Sequence, residues 1–164
     1  MKLHNSMRGQ FAYELYLKME TDLRIYLITA DLGYKVFDEH FKHYPDRVLN
    51  VGAAEHCALN MCIGLALQGR IPFFYSITPF LVYRPFESLR NYISKESIPV
   101  KMIGSGRDKD YYIDGFSHDS SDVRDIIRLF PNIYQRWPET QEQIPSIVSE
   151  MIDTPAPYFL SLRR

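Results

Sequence analysis

Short β-branched and aromatic runs alternate along the whole chain with longer segments whose apolar residues recur at helical spacing. Residues 24–30 (RIYLITA), 48–51, 71–76 (IPFFYS), 100–104, 132–137 and 157–162 (PYFLSL) read as strands. Residues 7–19, 53–68, 80–94, 121–129 and 139–151 read as helices. Gly69 stands where a left-handed helix cap is wanted, and Pro145 is expected to interrupt or bend the last helix. Such alternation produces repeated βα units, and these pack only as a mostly parallel sheet covered on both faces. The expected class is therefore α/β: a three-layer αβα sandwich with about six strands, residues 1–164 forming a single domain.

Charge and composition exclude several functions. The 19 basic and 20 acidic side chains leave a formal net charge of −1, without the basic excess that nucleic-acid binding demands. No run of 18 apolar residues could span a membrane. The start, Met1-Lys2-Leu3-His4, leads into polar sequence with no apolar signal core, so a cytoplasmic location is expected. Cys57 and Cys62 lie on one helix but point to different faces, and both are expected to be reduced, buried and inert.

In parallel sheets ligands sit beyond the carboxyl ends of the strands. Asp31-Leu32-Gly33, Gly52-Ala53-Ala54-Glu55-His56, residues 76–80 and the longer loop 104–119 all fall at that edge. Glu55 is the most informative residue, an acid at the start of an almost wholly apolar helix. It reads either as an ordinary first-turn acid, favoured by the helix dipole, or as a poised acid/base group. Phe80, with Tyr83 and Phe86 beyond it, reads as core or as a ligand platform. Asp114-Gly115-Phe116-Ser117-His118 reads as a turn with a surface histidine or as a polar site. No metal-ligand spacing joins His56, His118 and the carboxylates, so no metal is assigned to this chain. A P-loop, a G-x-G-x-x-G fingerprint and a nucleophile elbow are all missing from the sequence.

Asn50-Val51-Gly52-Ala53-Ala54-Glu55-His56, followed by Gly64-Leu65-Ala66 and Gly69-Arg70-Ile71-Pro72-Phe73, resembles the pyrimidine-binding domain of the transketolase family. That family includes deoxyxylulose-phosphate synthase and the β subunits of related keto-acid dehydrogenases. Its pattern places an aromatic about 25 positions beyond the glutamate, where Phe80 stands. Ala30-Asp31-Leu32 resembles the family's A-D-L, and Arg8 lies 23 positions before Asp31, where transketolases carry a substrate-binding arginine. Residues 114–118 resemble D-G-x-T-H, and Phe130-Pro131-Asn132 resembles I-P-N.

The resemblance implies thiamine diphosphate as cofactor, shared with a second domain that holds the diphosphate and Mg²⁺ or Ca²⁺. Glu55 would hydrogen-bond N1′ of the aminopyrimidine, favouring the tautomer whose 4′-nitrogen removes the thiazolium C2 proton. Phe80 would stack on the pyrimidine, Ile77 and Phe86 would wall its pocket, and Asp31 belongs to the same cofactor site. Asp114 and His118 would reach a ketose donor, with His118 also counted as catalytic. Arg8 and Arg84 would hold a phosphate or carboxylate.

Departures from the family pattern also carry information. Gly-Asp-Gly occurs nowhere in the chain, which ends at Arg164, so half a cofactor site is expected here. Asp119 stands where a glutamine often follows the histidine, Ile77 where an aromatic is common, and residues 107–112 are bulkier than the usual glycine-rich loop. The implied function is the pyrimidine-binding subunit of a split transketolase-like enzyme. It would transfer a two-carbon ketol or acyl unit to a sugar or aldehyde, in an α2β2 assembly with a diphosphate-binding chain. Retained Arg8, Asp114 and His118 favour a sugar-like donor. A split 2-keto-acid decarboxylase is the alternative enzyme, and an interaction module of the same fold is the non-catalytic one. The open apolar edge around Glu55 and Phe80 also predicts self-association.

Overall fold

The computed structural model describes residues 4–164. Six strands, β1 (Ile25–Thr29), β2 (Val48–Asn50), β3 (Ile71–Ile77), β4 (Lys101–Ser105), β5 (Tyr134–Arg136) and β6 (Tyr158–Leu162), form one sheet in the order β2-β1-β3-β4-β6-β5. Every pairing is parallel. The α/β class, the six strands and the covered parallel sheet follow the expectation from sequence.

Alternation along the strands splits the core into two layers. Ile28, Phe74, Met102 and Phe159 face one side, while Leu27, Phe73, Tyr75, Ile103 and Leu160 face the other. The first side is covered by α3 (Glu55–Leu67), α4 (Thr78–Tyr83), the segment after it and α6 (Val123–Arg128), through Leu59, Cys62, Leu81, Ile93 and Ile127. The second is covered by α1 (Met7–Thr21), α2 (Asp38–His43) and α7 (Ile144–Asp153), through Phe11, Leu15, Phe37, Ile144 and Val148.

Local signals account for the helix ends. Ser6 caps α1, its hydroxyl accepting from the Gly9 N–H at 3.1 Å. Gly69, at φ +74°, closes α3: its N–H donates to Ala66 O and that of Arg70 to Leu65 O, each at 3.0 Å.

Four readings from sequence need correction. Helix α2 was not anticipated, because its stretch is mostly polar and fully buries just Phe37, immediately before it, and His40, with Phe41 partly buried beside them. The helix expected over 80–94 is three pieces: α4, then α5 (Phe86–Ser88) beyond Pro85, then a π-helix (Leu89–Lys95). Pro85 lacks an N–H and breaks the ladder there. Pro145 does not bend the last helix. It sits in the first turn of α7, where an N–H has no partner anyway, behind a 3-10 turn boxed by Thr140 and Gln143. Finally, Cys57 is exposed, while Cys62 is buried and its thiol pushed well above the usual range by burial.

Candidate active site

Strand order places the polar residues. From β1 the chain moves outward to β2, then crosses back over β1 through α3 to β3 on its other side. A crossover that reverses in this way opens a crevice at the carboxyl ends of β1 and β3. The Asn50 side chain ties the rim together, its Oδ1 accepting from the Asp31 N–H at 2.9 Å and the Gly52 N–H at 3.0 Å. Asp31 adopts φ +48°, and its carboxylate accepts from the exposed Tyr34 hydroxyl at 3.2 Å.

Glu55 opens α3 and is 2% exposed. A carboxylate so buried must be partnered. Its partner is Arg84, whose Nη1 donates to both Oε1 and Oε2 at 2.7 Å. The Ser76 hydroxyl, at the end of β3, adds a longer bond to Oε1 at 3.4 Å. The Arg84 guanidinium also lies over the Phe80 ring, 3.7 Å from its centroid. The two residues are four apart along α4 and its C-terminal cap, so they share one face.

Contacts continue from Phe80. Its ring meets His118 with centroids 4.9 Å apart at 66°. His118 neighbours Tyr111 at 6.4 Å and bonds the Ser117 hydroxyl through Nδ1 at 3.0 Å. The Tyr111 hydroxyl accepts from Arg8 Nη1 at 3.1 Å and lies 3.1 Å from the Ser105 hydroxyl. Tyr75, beside Arg8 and Ser105, is pushed up to about 12 by burial. Glu55, Arg84, Phe80 and His118 thus form a run of contacts along the sheet edge, and Tyr111 links that run to Arg8.

The remaining expected residues are placed differently. Asp114 stands exposed on a 3-10 turn (Tyr112–Asp114), and Ile77 is half-buried at the N-cap of α4. The aromatic partner of Phe86 is Phe130, at 5.6 Å. Sequence reading missed Asn50, Ser76 and Tyr111 as organisers of this edge. Asn50 opens the recognised motif, and that was its only signal. Nor did it single out Arg107, buried at 2% and bonded to Ser161 O, Pro138 O and Glu139, which anchors the loop carrying His118. Tyr112, Ile113 and Phe116 on that loop are strongly exposed. Between α1 and α2 opens a cleft of about 510 Å³ lined by Arg8, Tyr13, Tyr16, Lys35, Glu39 and His40. Among the described residues no group of three His, Cys, Asp or Glu could hold a metal ion, and no helix is long and apolar enough to cross a membrane.

Known proteins share this fold and sequence pattern. The family model described as transketolase, pyrimidine binding domain, matches residues 5–164. A putative transketolase C-terminal section of Methanocaldococcus jannaschii is 27% identical, over 95% of this chain and 49% of its own length. A 6-deoxy-6-sulfo-D-fructose transketolase subunit of a Clostridium species is 27% identical, over 88% of this chain and 45% of its own length. The chain thus spans about half the length of these relatives. Among solved structures, a split gene transketolase described as an inactive β4 tetramer superposes with a TM-score of 0.85 at 26% identity. That match covers 97% of this chain and 51% of that one. Campylobacter jejuni transketolase, at 17% identity, shares the fold, with a TM-score of 0.86 over 96% of this chain and 25% of its own.

Proposed function

The chain belongs to the transketolase pyrimidine-binding domain family, and from that premise we propose that it forms the pyrimidine-binding half of a thiamine-diphosphate-dependent, transketolase-like transferase. One observation carries this reading: a buried carboxylate and an aromatic face are presented together, and a planar cation already bridges them. The residues therefore fit an aminopyrimidine, which is planar, stacks, and shares a proton with a carboxylate.

Bound thiamine diphosphate supplies the electron sink needed to break a carbon–carbon bond beside a carbonyl. This chain supplies the seat. Glu55 shares a proton at N1′ of the pyrimidine, in a site sheltered enough to keep water from competing for it. Ser76 steadies the carboxylate, and Phe80 fixes the ring plane by stacking. Ile77, Asp31 and Phe86 are assigned to the walls and rim of the cofactor site. His118, held against Phe80, presents a donor or acceptor beside the ring, and Asp114 on the same loop meets donor hydroxyls. Arg8, oriented by Tyr111, binds a phosphate or carboxylate at the far end.

The reaction is transfer of a two-carbon ketol or acyl unit from a ketose or keto acid to a sugar or aldehyde acceptor. The relative named for 6-deoxy-6-sulfo-D-fructose supports the ketose side. A separate chain supplies the diphosphate site and its Mg²⁺ or Ca²⁺, in an α2β2 assembly in the cytoplasm. Self-association of this chain alone is supported by the exposed Tyr112, Ile113 and Phe116, and by the β4 state of the split relative.

Calorimetry with thiamine diphosphate and Mg²⁺ tests the reading, on this chain alone and then with a candidate partner carrying Gly-Asp-Gly…Asn. Binding is expected only in the mixture, and is expected to be lost with Glu55→Gln. Tight Mg²⁺-dependent binding by the chain alone would overturn the half-site.

A further inference from the structure

We propose that Arg84 is an internal stand-in for the pyrimidine: it occupies the seat in the unloaded chain and must be displaced for the cofactor to bind. The inference rests on the reading of Glu55 and Phe80 as that seat.

Arg84 makes two contacts at once, and a protonated aminopyrimidine would make the same two. Its guanidinium is planar and cationic and lies on the Phe80 face at 3.7 Å. Its Nη1 donates to both oxygens of Glu55 at 2.7 Å. A ring stacked on that face of Phe80 and donating to that carboxylate would overlap the guanidinium, so both cannot be present together.

Such a stand-in has a physical rationale. An ionised carboxylate that is 2% exposed is costly without a partner. Before the cofactor arrives Glu55 needs a cation, and Arg84 supplies one. The guanidinium is nonetheless built to leave. Its side chain is 43% exposed, and its link to Glu55 runs through a single nitrogen. Its backbone is held at the junction of α4 and Pro85, so the side chain can swing into solvent without repacking the core. Displacement exchanges the guanidinium for a pyrimidine that shares with Glu55 one proton taken up from solvent. The apparent cofactor affinity is then lowered by whatever the arginine contacts contribute.

Binding of 4-amino-5-hydroxymethyl-2-methylpyrimidine to the purified full chain tests this, by calorimetry or ligand-observed NMR. Arg84→Ala is expected to bind the probe roughly three- to thirtyfold more tightly than the wild type, the range set by an ion pair whose arginine is open to solvent plus a cation–π contact. Arg84→Lys, which keeps the charge but not the planar fork, is expected to lie between them, and it serves in place of Arg84→Ala should that variant not fold. Methylguanidinium is expected to compete with the probe on Arg84→Ala, an effect that a merely structural arginine would not produce. Equal or weaker binding by Arg84→Ala, or no binding to either protein at the solubility limit of the probe, overturns the proposal. The background variant Arg84→Ala/Glu55→Gln separates the two ideas. If it binds the probe as well as Arg84→Ala does, the seat itself is wrong. If it binds more weakly while Arg84→Ala shows no gain over wild type, the seat stands and only the stand-in falls.

Discussion

Phe80 on α4 and His118 on the loop beyond β4, 38 positions apart in sequence, meet edge to face with ring centroids 4.9 Å apart. The contact joins a residue assigned to the cofactor with one assigned to the donor, so substitutions at the two positions are expected to separate in kinetics. Phe80→Ala should weaken thiamine diphosphate binding in the complex by about two- to twelvefold from lost stacking alone. Turnover at saturating cofactor should change less. His118→Ala should lower kcat/KM for the donor by about a hundredfold or more while the cofactor affinity stays within a few-fold. Steady-state kinetics with cofactor titration reads both, and an unchanged cofactor affinity in Phe80→Ala would return that ring to the core.

Glu55→Gln is near-isosteric and keeps an oxygen to accept from Arg84 Nη1 and the Ser76 hydroxyl, so the fold should persist by circular dichroism. It cannot share a proton. Turnover of the assembled enzyme is expected to fall by about two to four orders of magnitude. Retained turnover would remove Glu55 from the chemistry.

Gly106, at φ +83°, has no room for a side chain, because an added Cβ would fall against the edge of the Tyr111 ring. Gly106→Ala should cost about 1–3 kcal/mol through backbone strain and forced displacement of that ring. Moving Tyr111 detaches the hydroxyl that joins Arg8 to Ser105, so donor KM should rise as well. Tyr111→Phe serves as the control, since it keeps the ring and loses only the hydroxyl bonds, about 1 kcal/mol. Denaturant unfolding with donor KM checks both. Equal stability of Gly106→Ala and wild type would contradict the packing.

His40 is 2% exposed between Tyr16 and Phe37, and burial pushes its ring down from 6.5 to about 4. Between those values the unfolded chain binds a proton that the folded chain refuses. Stability is therefore complete above pH 6.5 and declines as the pH falls toward 4, by about 3 kcal/mol at most from this group. Urea unfolding at steps from pH 7 to pH 4 should show a flatter profile for His40→Phe than for the wild type. Identical profiles would mean that His40 reaches water in the folded state.

The readings from sequence held where one physical signal dominated a segment. The apolar helix α3 with its Gly69 cap and the aromatic runs of β3 and β6 needed only local pattern. They failed where packing chose among local alternatives. The polar stretch of α2 is a helix because Phe37 and His40 find a place under α1. The segment after Phe80 breaks at Pro85, yet it continues as α5 and a π-helix because Leu89 and Ile93 still have a core to fill.

By itself, then, the sequence determined the class of fold and which residue types stand at the carboxyl edge of the sheet, since strand periodicity and βα alternation are local properties of the chain. The tertiary structure alone decided which of those residues touch. The contact of Arg84 with both Phe80 and Glu55, and that of Phe86 with Phe130, had no signal in the sequence. Side-chain partners across a crevice depend on where a buried charge can be neutralised and which ring face is left uncovered, and neither is specified until α3, α4 and the loop beyond β4 have packed against one another.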